Sequence, residues 1–293
     1  MDFLFVTGMS GAGKTVAVNE LEDMGYQIND SVGSDTHILG LIGENGAGKS
    51  TTIKCILNLI RRDAGEVRLL GRDNGQDERV VKQDVGVVLD ECFFHDELRA
   101  GDVARVLRPV YRNWDDALFT SYVKRFGLSE KKRVKEYSRG MKMKLSLAAA
   151  LAHHPRLLIL DEATSGLDPV VRDEILEEFL GFIQDEEHAI LLSSHITSDL
   201  EKAADYIVYL HKGRVQVSGA KDELLERYGR LVCSAADLER VEKRWLQGLR
   251  RSQFGCEALV KDRAAFRRTH PGLTVDPVTL EEIMVLTSKE DAQ

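Results

Sequence analysis

Ile38-Leu39-Gly40-Leu41-Ile42-Gly43-Glu44-Asn45-Gly46-Ala47-Gly48-Lys49-Ser50-Thr51 is the stretch whose reading decides the fold. The apolar residues Ile38, Leu39, Leu41 and Ile42 predict a buried strand. That strand runs into Gly43-x4-Gly48-Lys49-Ser50, and Thr51 leads into a predicted helix over residues 52–60. Strand, glycine-rich loop and helix start, in that order, are the setting of a phosphate-binding P-loop. The glycines let backbone N–H groups turn onto phosphate oxygens, at a helix start whose partial positive charge favours anions. Gly43, Glu44, Asn45, Gly46, Ala47, Gly48, Lys49, Ser50 and Thr51 are therefore the candidate nucleotide-binding residues. Lys49 is expected to reach the β- and γ-phosphates, and the Ser50 hydroxyl to ligate magnesium.

The chain has 293 residues, of which 43% are hydrophobic and 30% charged, the profile of a globular protein with room for a sizeable core. A net charge of −8 argues against a general nucleic-acid binder, which would present a basic face to phosphate, and no nucleic-acid partner is expected. Two basic runs, residues 131–135 and 244–251, read as solvated helix faces. Cys55, Cys92, Cys233 and Cys256 are scattered without a C-x2-C spacing. That pattern speaks against a structural zinc site and suits a reducing cytosol. No apolar run approaches the ~18–20 residues that span a bilayer. The first residues, M-D-F-L-F-V-T-G, lack a basic region and a cleavage site, so no signal peptide is expected. A membrane role would then run through a partner.

Further along, residues 67–70 and 85–89 read as strands, the second ending in Asp90-Glu91. Residues 102–126 read as helical with an interruption near Pro109 and Asn113. The segment 137–141 is Y-S-R-G-M, and residues 142–154 form an alanine- and leucine-rich helix stopped by Pro155. Leu157-Leu158-Ile159-Leu160 then carries Asp161 and Glu162 at its end. A buried parallel strand with acids at its carboxyl end is where α/β sheets place ligand chemistry. Asp161 is expected to hold magnesium through water, and Glu162 to orient and polarise the attacking water. Ser165-Gly166-Leu167-Asp168 and a helix over residues 169–184 follow. A strand over residues 189–192 then ends in Ser193-Ser194-His195.

In this order the motifs resemble the ATPase subunit of ABC transporters over residues 37–220. The residues from Gly43 to Thr51 match Walker A, Ser138, Arg139, Gly140 and Met141 the signature, and residues 157–162 Walker B. Ser165, Gly166, Leu167 and Asp168 match the D-loop, and His195 the switch histidine. The resemblance implies an α/β fold of the P-loop NTPase type, with a mainly parallel sheet flanked by helices and a helical subdomain. It also implies ATP and Mg2+ as ligands, with Lys49, Glu162 and His195 as catalytic residues and His195 against the γ-phosphate. Two such domains pack head to tail in that family, so Ser138 to Met141 would close over the ATP of the other subunit. The usual signature is L-S-G-G-Q; here Arg139 replaces a glycine and Met141 a glutamine, which bears on closure and turnover. Asp90 falls where a glutamine is usual, and is kept as a third metal-facing residue beside Ser50 and Asp161.

Residues 1–30 hold a second P-loop, Gly8-x4-Gly13-Lys14-Thr15, between a strand over residues 3–7 and a helix over residues 16–24. The wording G-M-S-G-A-G-K-T through L-E-D-M-G-Y resembles the start of nucleotide-binding RNase-adapter proteins of the RapZ type. The rest of that domain does not follow, and residues 29–36 read as a junction. Residues 1–35 are thus expected to be a graft or fusion unit, replacing the strands and the adenine-stacking aromatic that ABC ATPases carry before Walker A. Weaker affinity and base selectivity follow from that loss. A second nucleotide site at Gly8, Gly13, Lys14 and Thr15 is the alternative.

Residues 206–210 and 214–217 read as strands around Lys212-Gly213, and residues 221–228 as a helix. Beyond them come a strand at 231–233, an amphipathic helix at 236–246, a strand at 253–260 and a helix at 280–286. The domains expected are residues 1–35, an ATPase domain over 36–228 with its helical subdomain at 92–150, and a small α+β extension over 229–293. That extension resembles those of exporter-type ATPases. The resemblance implies a homodimer or heterodimer of ATPase subunits, bound to a membrane permease at the inner face of the cell membrane. Residues 92–98, with Phe93 and Phe94, line up with the permease-docking region. Two other readings stay open: a soluble ABC ATPase without a transporter, and a regulatory protein using the first P-loop.

Overall fold

The structure is a computed structural model that describes residues 4–7, 37–63, 65–252 and 255–288. Its first half runs β1 (Leu4–Thr7), β2 (Ile38–Ile42), α1 (Lys49–Ile56), β3 (Glu66–Leu69), β4 (Arg72–Asp73), α2 (Glu78–Val81), β5 (Val85–Val88), α3 (Ala100–Leu107), α4 (Asp116–Arg125) and α5 (Arg139–Leu151). It continues with β6 (Leu157–Asp161), α6 (Pro169–Phe182), β7 (Ala189–Ser194), α7 (Thr197–Ala203), β8 (Tyr206–His211), β9 (Arg214–Ala220) and α8 (Lys221–Arg227). The last segment holds β10 (Gly229–Cys233), α9 (Ala235–Leu238), β11 (Leu246–Ser252), β12 (Gly255–Val260), α10 (Arg263–Thr269), β13 (Val275–Asp276) and α11 (Leu280–Thr287).

A six-stranded sheet in the order β5-β6-β7-β2-β8-β9 forms the centre. Every pairing in it is parallel except the β8–β9 hairpin. Strands β2, β6, β7 and β8 are buried along their whole length, because helices and a second sheet cover both faces. Alternate residues therefore supply two cores. Ile38, Ile42, Leu158, Leu160, Ile190, Leu192, Ile207 and Tyr209 face α6, α7 and α11. Leu39, Leu41, Leu157, Ile159, Leu191 and Val208 face Ile53 of α1 and Val67 and Leu69 of β3. This is an α/β architecture with a mainly parallel sheet.

Strand β1 pairs antiparallel with β3, which also pairs with β4, so the N-terminal strand joins a small antiparallel sheet rather than the parallel one. On the other side, α5 belongs to two cores at once. Its Met143, Leu147 and Leu151 face the sheet, while Leu145, Ala148 and Ala149 pack with Val103 of α3 and with Phe119 and Val123 of α4. One helix thereby ties a helical lobe to the sheet.

The C-terminal strands form an antiparallel sheet, β11-β12-β10-β13, with its own small core around Leu231, Ala258 and Phe266. Helix α11 turns back: Leu280, Ile283 and Leu286 join the main core beside Leu200 and Tyr209. It starts at a capping box, in which Thr279 Oγ1 accepts from the Glu282 N–H and Glu282 Oε2 accepts from the Thr279 N–H.

The structure corrects four readings of local sequence. The helix expected over residues 236–246 stops at Leu238, and the basic run 244–251 is no helix face but enters β11 and pairs with β12. Residues 131–135 form a turn leading into a short 3-10 segment, not a helix. Helix α1 ends at Ile56 rather than at residue 60, with Asn58 at φ 54° closing it.

Candidate active site

Three neighbouring strands, β6, β7 and β2, end at one level: Asp161 lies opposite Ser193, and Ile42 opposite Ser194. The P-loop leaves β2 at Gly43, Glu162 follows β6, and His195 follows β7. Three segments far apart in sequence therefore meet at the carboxyl edge of the sheet, the usual ligand edge of such folds.

Within the P-loop, Lys49 is 5% exposed, and its ammonium donates to the carbonyls of Gly43 at 2.8 Å and Glu44 at 3.2 Å. It also lies 3.0 Å from Glu162 Oε1. The other oxygen of Glu162 is 2.6 Å from His195 Nδ1, so one carboxylate bridges the lysine and the histidine. Glu162 has a left-handed backbone, φ 53°, a sparsely populated state for a side chain of this kind. Its N–H is held by the carbonyl of Ser193 at 3.1 Å and by Ser193 Oγ at 3.2 Å. Backbone strain of this sort concentrates at functional sites.

Asp161 is fully buried. Its Oδ1 accepts from Ser193 Oγ at 2.5 Å, and its Oδ2 has no hydrogen-bond partner. A buried carboxylate oxygen without a donor is costly unless a cation or water meets it. Together with the Ser50 hydroxyl at the start of α1, it fits a magnesium ion that keeps most of its coordination on water and phosphate. Among the described residues no cluster of three His, Cys, Asp or Glu side chains forms an all-protein metal cage. Ser193 is the residue that sequence reading passed over. Its signal was its position one strand over from Asp161, which only the register reveals.

The signature segment begins α5. Ser138 is its N-cap, and its Oγ accepts from the Met141 N–H at 3.2 Å, which leaves the hydroxyl proton available to another acceptor. The preceding Tyr137 is buried and donates to the Ser129 carbonyl at 2.7 Å; burial pushes its phenol pKa up. The exposed Arg139 lays its guanidinium on Gly166, where a Cβ would come within 3.0 Å of it. Gly166 has φ +67°, a left-handed backbone that disfavours a side chain there. Gly140 sits against Val171 of α6. In the D-loop, Ser165 donates its N–H to the Glu162 carbonyl, Leu167 is buried, and Asp168 caps α6 through the Val171 N–H at 3.1 Å. Asp90 is exposed and lines a cavity of about 530 Å3 with Glu91, Arg139 and Lys142. The walls of that cavity do not include Ser50 or Asp161. Gly8, Gly13, Lys14 and Thr15 lie outside the described residues.

A parallel sheet with a P-loop, a strand-end Asp-Glu pair and a histidine on that glutamate defines a P-loop ATPase. Comparison with known proteins gives its family. Residues 31–165 match the family described as ABC transporter, and residues 1–39 match the RapZ-like N-terminal domain. The ABC transporter ATP-binding protein NatA of Bacillus subtilis (strain 168) is 33% identical over 195 residues, covering 64% of this chain and 79% of that protein. The bacitracin transport ATP-binding protein BcrA of Bacillus licheniformis is 31% identical over 192 residues, which are 65% of this chain and 63% of that relative. The chain thus spans just under two thirds of that relative. A solved structure of an ABC transporter's ATP-binding subunit superposes with a TM-score of 0.57 at 29% identity, over 64% of this chain and 80% of that one. The chain belongs to the ATP-binding proteins of ABC transporters, and it is an ATPase of that class.

Proposed function

We propose that this protein hydrolyses ATP at the interface of two ATPase subunits packed head to tail, and that hydrolysis drives a separate membrane permease in the direction of export. The observation that carries the reading is the Glu162 carboxylate held between Lys49 and His195 at the end of β6. In this reading Lys49 shifts from Glu162 to the β- and γ-phosphates, with the P-loop N–H groups of residues 43–51 around them. Glu162, released on one side and still oriented by His195, accepts a proton from the attacking water. His195 then meets the γ-phosphate. Ser50 and, through water, Asp161 Oδ2 would hold a magnesium ion, which would supply charge neutralisation at the phosphate oxygens. Ser138, Arg139, Gly140 and Met141 would act on the nucleotide of the second subunit, with Ser165, Gly166, Leu167 and Asp168 lining the seam. Asp90 would act as an accessory from the neighbouring cavity that Arg139 and Lys142 also line.

Residues 36–228 are the proposed ATPase domain and residues 229–293 an extension of the kind that exporter ATPases carry; residues 1–35 are a grafted unit. The name of BcrA, a bacitracin transport protein, agrees with a transport role here. Among the described residues no helix is long and apolar enough to cross a membrane, so coupling would run through a permease. Its docking place would be the groove beside β5, a cavity of about 180 Å3 lined by Val87, Leu89, Phe93, Phe94, Leu107 and Tyr111. Phe93 is 71% exposed there. The location would then be cytoplasmic, at the inner face of the membrane.

Expression with the permease, followed by membrane purification and assay in proteoliposomes, tests this. Phe93→Asp is expected to abolish co-purification while leaving ATPase activity in solution, and Lys49→Ala to abolish activity in both settings. ATP hydrolysis that survives Lys49→Ala but is lost in Lys14→Ala would overturn the assignment.

A further inference from the structure

The end of β8 and its turn form an outer wall to the P-loop. The β8–β9 hairpin pairs His211 with Arg214 around a two-residue loop, Lys212 at φ 49° and Gly213 at φ 78°. Both positive angles are what a tight hairpin of this length requires. Three consecutive contacts run from this wall to the loop. The Leu210 carbonyl lies so close to Gly43 that a Cβ there would come within 2.5 Å of its oxygen. His211 Nδ1 lies 2.6 Å from Glu44 Oε1, and Gly213 donates its N–H to the Ala47 carbonyl at 2.9 Å. His211 is 8% exposed, and its ring sits 6.4 Å from that of Tyr209, whose hydroxyl donates to the Met284 carbonyl of α11.

Glu44 therefore has two attachments. Its carbonyl receives the Lys49 ammonium, and its carboxylate meets His211, although off the line of an ideal hydrogen bond. From this geometry we infer that His211 is a positioning residue for the nucleotide site: it anchors Glu44 and so fixes the loop carbonyls that aim Lys49. The contact meets the loop at Glu44, whose carbonyl receives Lys49, so its effect falls on nucleotide binding more than on the water-activating step. The inference rests on the reading that residues 43–51 bind ATP.

The test compares His211→Gln, Glu44→Gln and the double variant in the full chain. Steady-state hydrolysis supplies KM and kcat. Calorimetric ATP binding in a Glu162→Gln background supplies affinity without turnover. Each single change is expected to weaken ATP binding about three- to tenfold, the scale of a half-buried charged contact, with the loss in affinity exceeding any fall in kcat. The double variant is expected to match the weaker single variant, because both remove one contact. Singles within twofold of the parent in affinity, effects that multiply in the double, or a fall in kcat at unchanged affinity would each overturn the inference. If His211→Gln does not fold, Glu44→Gln on the loop surface decides alone, and unchanged affinity in it is a refutation. A parent protein that binds ATP without hydrolysing it would refute the ATPase reading and leave the binding comparison to decide this one.

Discussion

Glu162→Gln separates binding from chemistry, because the change is nearly isosteric and removes the charge that Lys49 and His195 share, with one acceptor oxygen exchanged for an amide NH2. The glutamate is 12% exposed, with Lys49 at 3.0 Å and His195 at 2.6 Å. Loss of a positioned general base lowers turnover by roughly 10^2- to 10^4-fold, or about 3–5 kcal/mol of barrier. Binding moves the other way. Unit charges 3.0 Å apart attract by roughly 5 kcal/mol at an effective dielectric of about 20, before desolvation cancels most of it. A net worth on the order of 1 kcal/mol is left for the Lys49–Glu162 contact. A γ-phosphate that reaches Lys49 competes with that contact in the parent protein and not in the glutamine variant. ATP should thus bind about fivefold more tightly to Glu162→Gln. Phosphate release measures the first effect, calorimetry the second, and gel filtration with ATP reads whether the variant is trapped as a dimer. Retention of more than a tenth of parental turnover, or weaker ATP binding, would refute the assignment of Glu162.

Two stability predictions follow from other parts of the fold. A Cβ at Gly248 would lie 2.0 Å from the Leu286 carbonyl oxygen, so Gly248→Ala must push α11 off β11 and pull Ile283 and Leu286 from the core. The expected cost is about 1–3 kcal/mol, seen as a drop of several degrees in Tm; an unchanged Tm would contradict the packing of α11. His153 is buried, stacks on Tyr111 at 3.8 Å, and places Nε2 3.2 Å from the Val85 carbonyl. Burial lowers its pKa below the ordinary value, against the opposing pull of the Val85 and Ala149 carbonyls. The unfolded chain then takes up the proton first as pH falls, so the stability contributed by neutral His153 is present above pH ~6.5 and lost below it. Tm measured between pH 7.5 and 5 should fall, and His153→Gln should flatten that slope; equal slopes would refute it.

Much of the site was legible in the chain because each motif is local. Residues 38–51 carry strand, glycine turn and helix start in one run, and Leu157 to Glu162 is a buried strand with its acids attached. Hidden elements depended on distant partners. The basic residues Arg250 and Arg251 look like a helix face, yet pairing with β12 makes them part of a strand, since ladder hydrogen bonds and cross-strand contacts outweigh local propensity. Helix α9 is short for the same reason, as the chain must turn at Leu238 to reach that edge.

By itself the sequence determined that a P-loop forms and that Asp161, Glu162 and His195 end strands, because alternation, glycine placement and strand length are properties of neighbouring residues. Only the tertiary structure decided that the strands lie in the order β6-β7-β2-β8. That order puts Glu162 between Lys49 and His195, Ser193 on Asp161, and His211 on Glu44. Contacts across a parallel sheet join segments that a crossover connection separates, so their register follows from packing on both faces of the sheet and is invisible in any single stretch of chain.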